Sequence, residues 1–248
     1  MIHLKSRQEI AQMEVANRIV AEILAEIKEK IRPGVETREL DEVAEAGCRR
    51  HKVKPAFKGY RGYPASLCVS VNEEVVHGIP GGRRLKEGDL VSLDFGVQYN
   101  GFYGDAALTV PVGEVSPQAQ LLLQATEESL YAAIDQMRVG ARLSNLSHAT
   151  QAAVEKHGFA VIRQFVGHGI GRSLHEDPQL PNFGLPGRGP VMRPGLTLAI
   201  EPMTSAGSWQ VRILADGWTA VTEDGSLSAH FEHTVALTET GVLILSRL

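Results

Sequence analysis

The sequence predicts a mixed α/β (α+β) fold, helices laid over a sheet, and three observations carry that prediction. Helical hydrophobic periodicity with cap residues at its ends appears in four segments, two near the start, one across the middle and one beyond it. Strand-like runs fill most of the stretch from 67 to 112, where Asn100-Gly101 is the dipeptide best suited to a two-residue type I′ hairpin turn. Short apolar runs and glycine-rich loops make up the rest, so the order α then β occurs twice, loosely.

Ser6-Arg7-Gln8-Glu9 reads as a capping box ahead of Ile10, Met13, Val20, Ile23, Leu24 and Ile27, and Pro33-Gly34 should end that helix. Thr37 is the expected cap of a second helix through Leu40, Val43, Ala44 and Cys48. Leu67-Cys68-Val69-Ser70-Val71 reads as a strand, and Val91-Ser92-Leu93-Asp94-Phe95 alternates as a half-buried strand does. Ser116-Pro117 opens a third helix running to about Met137, with Gly140 beyond it. A fourth runs from about Ser144 to His157 and stops at Gly158.

The hairpin turn has a chemical consequence. With Asn100-Gly101 as its loop, Tyr99 pairs with Phe102, which sets Asp94 opposite Ala107 and Asp105 opposite Gly96. Both aspartates then share one face as diagonal neighbours, roughly 7–8 Å apart at the backbone. Carboxylates converging there repel unless a cation or a shared proton lies between them.

Three further side chains could complete such a site. His168 sits in Val166-Gly167-His168-Gly169-Ile170-Gly171, where glycines permit tight turning and close approach. That run lacks the full spacing of a phosphate loop, and no helical pattern follows it. Glu201 ends the apolar run Leu196-Thr197-Leu198-Ala199-Ile200, ahead of Pro202. Glu232 lies in His230-Phe231-Glu232-His233-Thr234-Val235, with Phe231 and Val235 on the opposite face and His230 on its own. Four carboxylates and one imidazole are the wrong set for a structural zinc, which favours Cys and His. They suit two divalent ions sharing bridging carboxylates, which points to metal-assisted hydrolysis. All five lie outside the helices, so the helices should cover the sheet's other side.

Composition narrows the function classes. The 248 residues show no Pro/Ser-rich or charged linker, and 43% hydrophobic with 22% charged residues is ordinary for a globular domain. A net charge of −4 offers no general attraction for nucleic acid. Arg49-Arg50-His51-Lys52 with Lys54 reads as a solvated helix end, the alternative being a transient ribosome contact. Met1 to Ser6 hold no signal-peptide core, and no apolar run approaches the ~18 residues of a membrane span. Cys48 and Cys68 form neither a disulfide framework nor a zinc ribbon, so buried thiols in a reducing cytoplasm are expected.

Several segments resemble type I methionine aminopeptidases: Val76-His77-Gly78-Ile79-Pro80, Ser92-Leu93-Asp94-Phe95-Gly96, Gly167-His168-Gly169-Ile170-Gly171, Glu201-Pro202, and Ser226-Leu227-Ser228-Ala229 ahead of Phe231-Glu232-His233-Thr234. The resemblance spans nearly the whole chain. It implies a pita-bread fold, in which two pseudo-symmetric αβ halves surround a central antiparallel sheet with a dinuclear metal site. It further implies that Asp94, Asp105, His168, Glu201 and Glu232 hold two divalent ions (cobalt, manganese, iron or zinc), with Asp105 and Glu232 bridging. Glu201 would be the proton shuttle, His175 would polarise the scissile carbonyl, and His77 would lie near the scissile nitrogen.

By the same resemblance the substrate pocket comprises Phe57, Tyr60, Tyr63, Cys68, His77, Leu174, His175 and Trp218. Phe57 stands where a bacterial relative has Cys, and Leu174 where Phe is usual, which puts the pocket's shape in question. Asn72, the backbone of Glu74, and Ser228 would hold a monovalent cation. The implied reaction removes N-terminal methionine from nascent chains whose second residue is small. A cytoplasmic monomer of one catalytic domain over residues 1–248 is expected, with neither an N-terminal zinc-binding extension nor the type II insertion. The rivals are a proline-directed aminopeptidase or prolidase-like enzyme and a catalytically silent binding module of the same fold.

Overall fold

The computed structural model describes residues 1–247. In chain order the elements are α1 (Arg7–Lys28), α2 (Thr37–His51), β1 (Lys54–Pro55), β2 (Leu67–Val71), β3 (Glu74–Val76), β4 (Leu90–Tyr99), β5 (Phe102–Pro111), α3 (Pro117–Ile134) and α4 (Ser144–Glu155). There follow β6 (Ala160–Val161), β7 (Val166–Gly169), β8 (Glu176–Pro181), β9 (Thr197–Ile200), β10 (Met203–Ser205), β11 (Val211–Ile213), β12 (Ala220–Thr222), β13 (Ser228–His230), β14 (Glu232–Thr238) and β15 (Gly241–Ile244).

Local chemistry explains most helix boundaries. Ser6 and Glu9 close the expected capping box, Glu9 N donating to Ser6 Oγ at 3.3 Å and Ser6 N to Glu9 Oε2 at 2.8 Å. Ser116 caps α3 by accepting from Ala119 N at 3.1 Å. The second helix departs from expectation, because Glu36 is the residue ahead of α2 and Thr37 is already helical. Thr37 Oγ1 instead bonds the loop at Gly81, accepting from its N at 2.8 Å and donating to its O at 3.1 Å. Three helices also end early. In α1, Lys30 N and Ile31 N turn to the carbonyls of Ile27 and Lys28, so the chain leaves the helix before Pro33. In α3, Gln136 and Met137 make the same tighter three-residue turns, as does His157 after α4.

The β4–β5 hairpin is as expected. Asn100 and Gly101 have φ of 48° and 80°, both positive as a type I′ turn demands. The ladder runs from Tyr99↔Phe102 through Asp94↔Ala107 to Leu90↔Pro111, with Asp105 opposite Gly96. This hairpin is part of a nine-stranded sheet in the order β1-β4-β5-β14-β9-β7-β8, with β2 also pairing β4 and β15 pairing β14. Its pairings are all antiparallel.

Two helix pairs cover the two halves of that sheet, giving the αβ halves of the pita-bread class. α1 packs on β4 and β5, with α2 beside it against β2; α3 and α4 pack together, α3 against β9 and β14 and α4 against β8. Ile23, Leu40, Leu67, Leu93 and Phe95 are buried in the first half's core, and Leu130, Leu146, Leu198 and Val235 in the second's. Each such side chain contributes about 1.5–3 kcal/mol. Helix α1 approaches the sheet backbone directly at Gly104, where a Cβ would lie 2.7 Å from Asn17 N. The side chain of Asn17, fully buried, accepts from Asp105 N at 3.2 Å and donates to Met13 O at 2.9 Å. The helix is thereby tied to the strand residue that faces the site.

Candidate metal centre and substrate pocket

Five neighbouring strands each bring one ligand-type side chain. In sheet order these are Asp94 on β4, Asp105 on β5, Glu232 at the start of β14, Glu201 just past β9, and His168 on β7. Register puts them on one face. Ala107 pairs with Asp94 on one side and Glu232 on the other, and Asp105 stands two residues from Ala107. Ala199 pairs with both His168 and Thr234, and Glu201 stands two residues beyond it. Paired residues share a face, so all five side chains converge over two alanines too small to fill the space between them.

Glycines leave room as well. A Cβ at Gly96 would lie 3.1 Å from Asp105 Oδ1. One at Gly167 would lie 2.6 Å from Ala199 O, and one at Gly169 would strike Asp177 O at 2.1 Å, which is the close strand approach expected around His168.

The convergence is tight and electrostatically unfavourable on its own. Ligand atoms of Asp105, His168 and Glu232 all lie within 4.8 Å of one another. Asp94 Oδ1, Asp105 Oδ1 and Glu232 Oε1 are buried and have no hydrogen-bond partner among the described residues. Burial pushes the Asp94 carboxyl up to about 7. Burial and then neighbouring carboxylates raise Asp105, Glu201 and Glu232 well above the usual range. His168 is pushed down to about 4 by burial. Its Nδ1 donates to Gly169 O at 2.9 Å, which turns the lone pair of Nε2 inward, 3.5 Å from Glu201 Oε1. Two electron-rich atoms face each other across that gap. Divalent cations fit this set: oxygen ligands with one imidazole, buried, orphaned and mutually repelling.

The five candidate ligands line a cavity of about 170 Å³ together with Phe57, Tyr60, Arg61, Tyr63, Cys68, His77, Leu174, His175 and Trp218. Drug-sized ligands occupy roughly 300–1,000 Å³, so this space is scaled to one side chain. Tyr63 meets Trp218 edge-on at 5.2 Å between ring centroids, and His77 meets Trp218 at 6.2 Å. A larger cleft of about 680 Å³ lies between α1 and α3, and of the five ligand-type residues only Glu232 reaches it.

The two remaining imidazoles are held differently. His77 has φ of 62°, a strained value for a residue with a Cβ, and Phe165 packs edge-on against it at 5.4 Å. Desolvation lowers its pKa. The His175 ring lies against that of His168, centroids 4.2 Å apart and planes tilted by 51°, and shares a 2.8 Å hydrogen bond between Nδ1 and Tyr60 Oη. Desolvation first, then the neighbouring His168, holds it below the ordinary histidine range. Its loop is anchored by Glu176, which accepts from Arg172 N at 2.7 Å and Ser173 N at 3.1 Å and pairs with the buried Lys5.

Every pocket residue expected from the sequence lines this cavity. Sequence reading did not find Arg61, Phe165, the Tyr60–His175 bond, or Asn182, whose Nδ2 donates to Glu201 O at 3.0 Å. None carried a local signal, since each acts through a long-range contact. Of the monovalent-cation candidates, Asn72 and Ser228 are in direct contact, Ser228 N donating to Asn72 O at 2.8 Å. The side chain of Asn72 is engaged with Asp89, that of Glu74 with Arg83, and that of Ser228 with Thr204.

A buried carboxylate–imidazole centre between two αβ halves defines a metal-dependent hydrolase of the pita-bread class. The family model for metallopeptidase family M24 matches residues 11–239. Methionine aminopeptidase 1 of Bacillus subtilis (strain 168) is 53% identical over 248 residues, all of both chains. The methionine aminopeptidase of Clostridium perfringens is 53% identical over 99% of each chain. A crystal structure of the Thermotoga maritima methionine aminopeptidase superposes over all of both chains with a TM-score of 0.98 at 51% identity. A prolidase from Pyrococcus furiosus shares the fold alone, at 22% identity and a TM-score of 0.81, with 65% of that chain covered. The chain therefore belongs to metallopeptidase family M24 and, within it, to the methionine aminopeptidases.

Proposed function

We propose that Asp94, Asp105, His168, Glu201 and Glu232 would hold two divalent ions for hydrolytic removal of N-terminal methionine. The enzyme is a metalloexopeptidase acting on the N-termini of nascent chains. One observation carries the site assignment: five ligand-type side chains from five neighbouring strands share one buried face with unpartnered oxygens. Divalent ions bound there supply Lewis acidity, which acidifies water and polarises the scissile carbonyl.

The protein's own groups do the rest. Glu201 takes the proton from the attacking water and delivers it to the leaving amine. His175 donates through Nε2 to the developing oxyanion while Tyr60 holds its Nδ1. His77 contacts the substrate beside the scissile nitrogen. The cavity's small volume and the candidate ligands in its wall support entry of a terminal residue alone. Tyr60, Tyr63, Cys68, Leu174 and Trp218 surround a thioether, and sulfur packs well against aromatic edges. The next residue would sit beside His77 and the candidate ligands, where a small side chain fits best. The chain acts as a single catalytic unit, a monomer in the cytoplasm, and no helix among the described residues is long and apolar enough to cross a membrane.

A peptide panel varied at its first two positions tests this reading. Met-Ala, Met-Gly and Met-Ser peptides should be cleaved, and Met-Lys or Met-Leu peptides disfavoured at least ~10²-fold in kcat/KM, about 2.7 kcal/mol. Leu174, smaller than a ring, should admit some norleucine. Preference for X-Pro peptides would transfer the case to a proline-directed enzyme.

A further inference from the structure

His230 is buried, 1% exposed, and the reaction as described leaves it without a task. It ends β13, and its backbone is pinned by Thr109, whose Oγ1 accepts from His230 N and donates to His230 O, both at 2.8 Å. The residue therefore cannot drift from its place in the sheet. Neither ring nitrogen has a hydrogen-bond partner among the described residues. A buried polar group left in that condition costs about 1–3 kcal/mol, and one persisting in a native fold calls for a physical reason.

The nearest carboxylate to the ring among the described ion pairs is that of Glu201. The ring Nε2 lies 3.7 Å from Glu201 Oε2, about half an ångström beyond ordinary hydrogen-bond reach. The other oxygen of Glu201 lies 3.5 Å from His168 Nε2, which already presents a lone pair because His168 Nδ1 donates to Gly169 O. His168 therefore cannot donate to Glu201. Asn182 holds Glu201 by its backbone carbonyl, a contact that does not itself fix the carboxylate. Of the two imidazoles flanking that carboxylate, only His230 has an N–H to offer it.

We propose that His230 is a positioning residue for Glu201, its Nε2–H donating to Glu201 Oε2 and fixing which carboxylate oxygen turns toward the metals. The proposal rests on the reading of Glu201 as ligand and proton carrier. It assigns His230 the place of an outer partner that orients a ligand, a kind of contact whose loss typically weakens metal binding 10–100-fold.

The test uses His230→Met, which keeps an apolar-compatible volume without a donor, and His230→Gln, which restores an N–H. Calorimetric titration with Mn²⁺ should show His230→Met binding 10–100-fold more weakly than the parent and His230→Gln within a few-fold of it. Turnover should follow: kcat falls at least tenfold in His230→Met, while KM for a Met-Ala peptide changes less than about threefold. Independently of any variant, ¹⁵N-histidine NMR of the metal-loaded parent should show the His230 proton on Nε2. A proton on Nδ1 overturns the proposal. So does a His230→Met protein that melts lower yet keeps parental Mn²⁺ affinity and kcat, since that is packing alone. Glu201→Gln separates the two levels. Should it bind Mn²⁺ as the parent does, the reading of Glu201 fails; should it lose Mn²⁺ while His230→Met does not, only the role of His230 fails.

Discussion

Single side chains carry the chemistry, and the clearest contrasts between them are measurable. Asp94 and Glu232 each present a buried oxygen without a hydrogen-bond partner among the described residues. Asp94→Ala or Glu232→Ala should abolish turnover and lower bound metal, read by assay alongside elemental analysis; near-normal hydrolysis by either variant would refute the dinuclear reading. His175 stands outside the proposed ligand set, tilted against His168 and bonded to Tyr60. His175→Ala should therefore keep its metal and lose about 10²–10³ in kcat, the usual cost of one oxyanion donor. Metal content collapsing together with kcat would make His175 a ligand instead. Because Tyr60 and His175 are far apart in sequence, the spacing of neither residue advertised their bond.

At the scale of elements, the packing of α1 on β5 holds the site's geometry. A Cβ at Gly104 would lie 2.7 Å from Asn17 N and 2.8 Å from Ala16 C, both backbone atoms that cannot rotate away. Gly104→Ala should thus push helix from strand, costing about 1–3 kcal/mol by denaturant unfolding. It should also weaken metal binding, because Asp105 is the next residue and Asn17 holds its N–H. Gly101→Val in the hairpin loop makes a useful comparison. Its φ of 80° makes any Cβ costly, roughly 1–2 kcal/mol, but the turn lies far along the ladder from Asp94. That variant should lose stability and retain metal affinity. Equal losses of affinity in both variants would show that Gly104 matters only through global stability.

For the whole molecule, the buried carboxylates burden the metal-free fold, and bound cations should relieve that burden. Asp94 titrates at about 7 when buried, against about 3.9 in an unfolded chain. A raised carboxyl pKa stabilises the fold fully below the unfolded value and loses that contribution as pH rises through the folded one. Asp105, Glu201 and Glu232 shift in the same direction. The buried His168 and His230, held down to about 4 and about 3, act oppositely, but their change is complete near pH 6.5. Metal-free protein should accordingly melt at falling temperatures from about pH 6.5 to 8. Divalent ions should reverse the fall, adding about 2.7 kcal/mol at one hundred times Kd, or roughly 5–10 °C. A calorimetric profile flat with pH and insensitive to metal would show that these carboxylates do not face one another.

The sequence by itself determined what local chemistry can determine. The Ser6–Glu9 box, the Ser116 cap and the Asn100-Gly101 turn act within a few residues, and the turn placed Asp94 against Asp105 through strand period alone. The ligand types, five oxygen or nitrogen donors outside the helices, restricted the metal chemistry, and the resemblance supplied the fold and the histidine roles. Tertiary structure decided what depends on distant strands. Only the order β4-β5-β14-β9-β7 brings His168, Glu201 and Glu232 beside the two aspartates, and no local period encodes which strands become neighbours. Thr37 was misread as a cap because its partner, Gly81, arrives from a loop far along the chain. Phe165 behind His77 and the unpartnered ring of His230 beside Glu201 were invisible for the same reason: they exist only where separate segments pack.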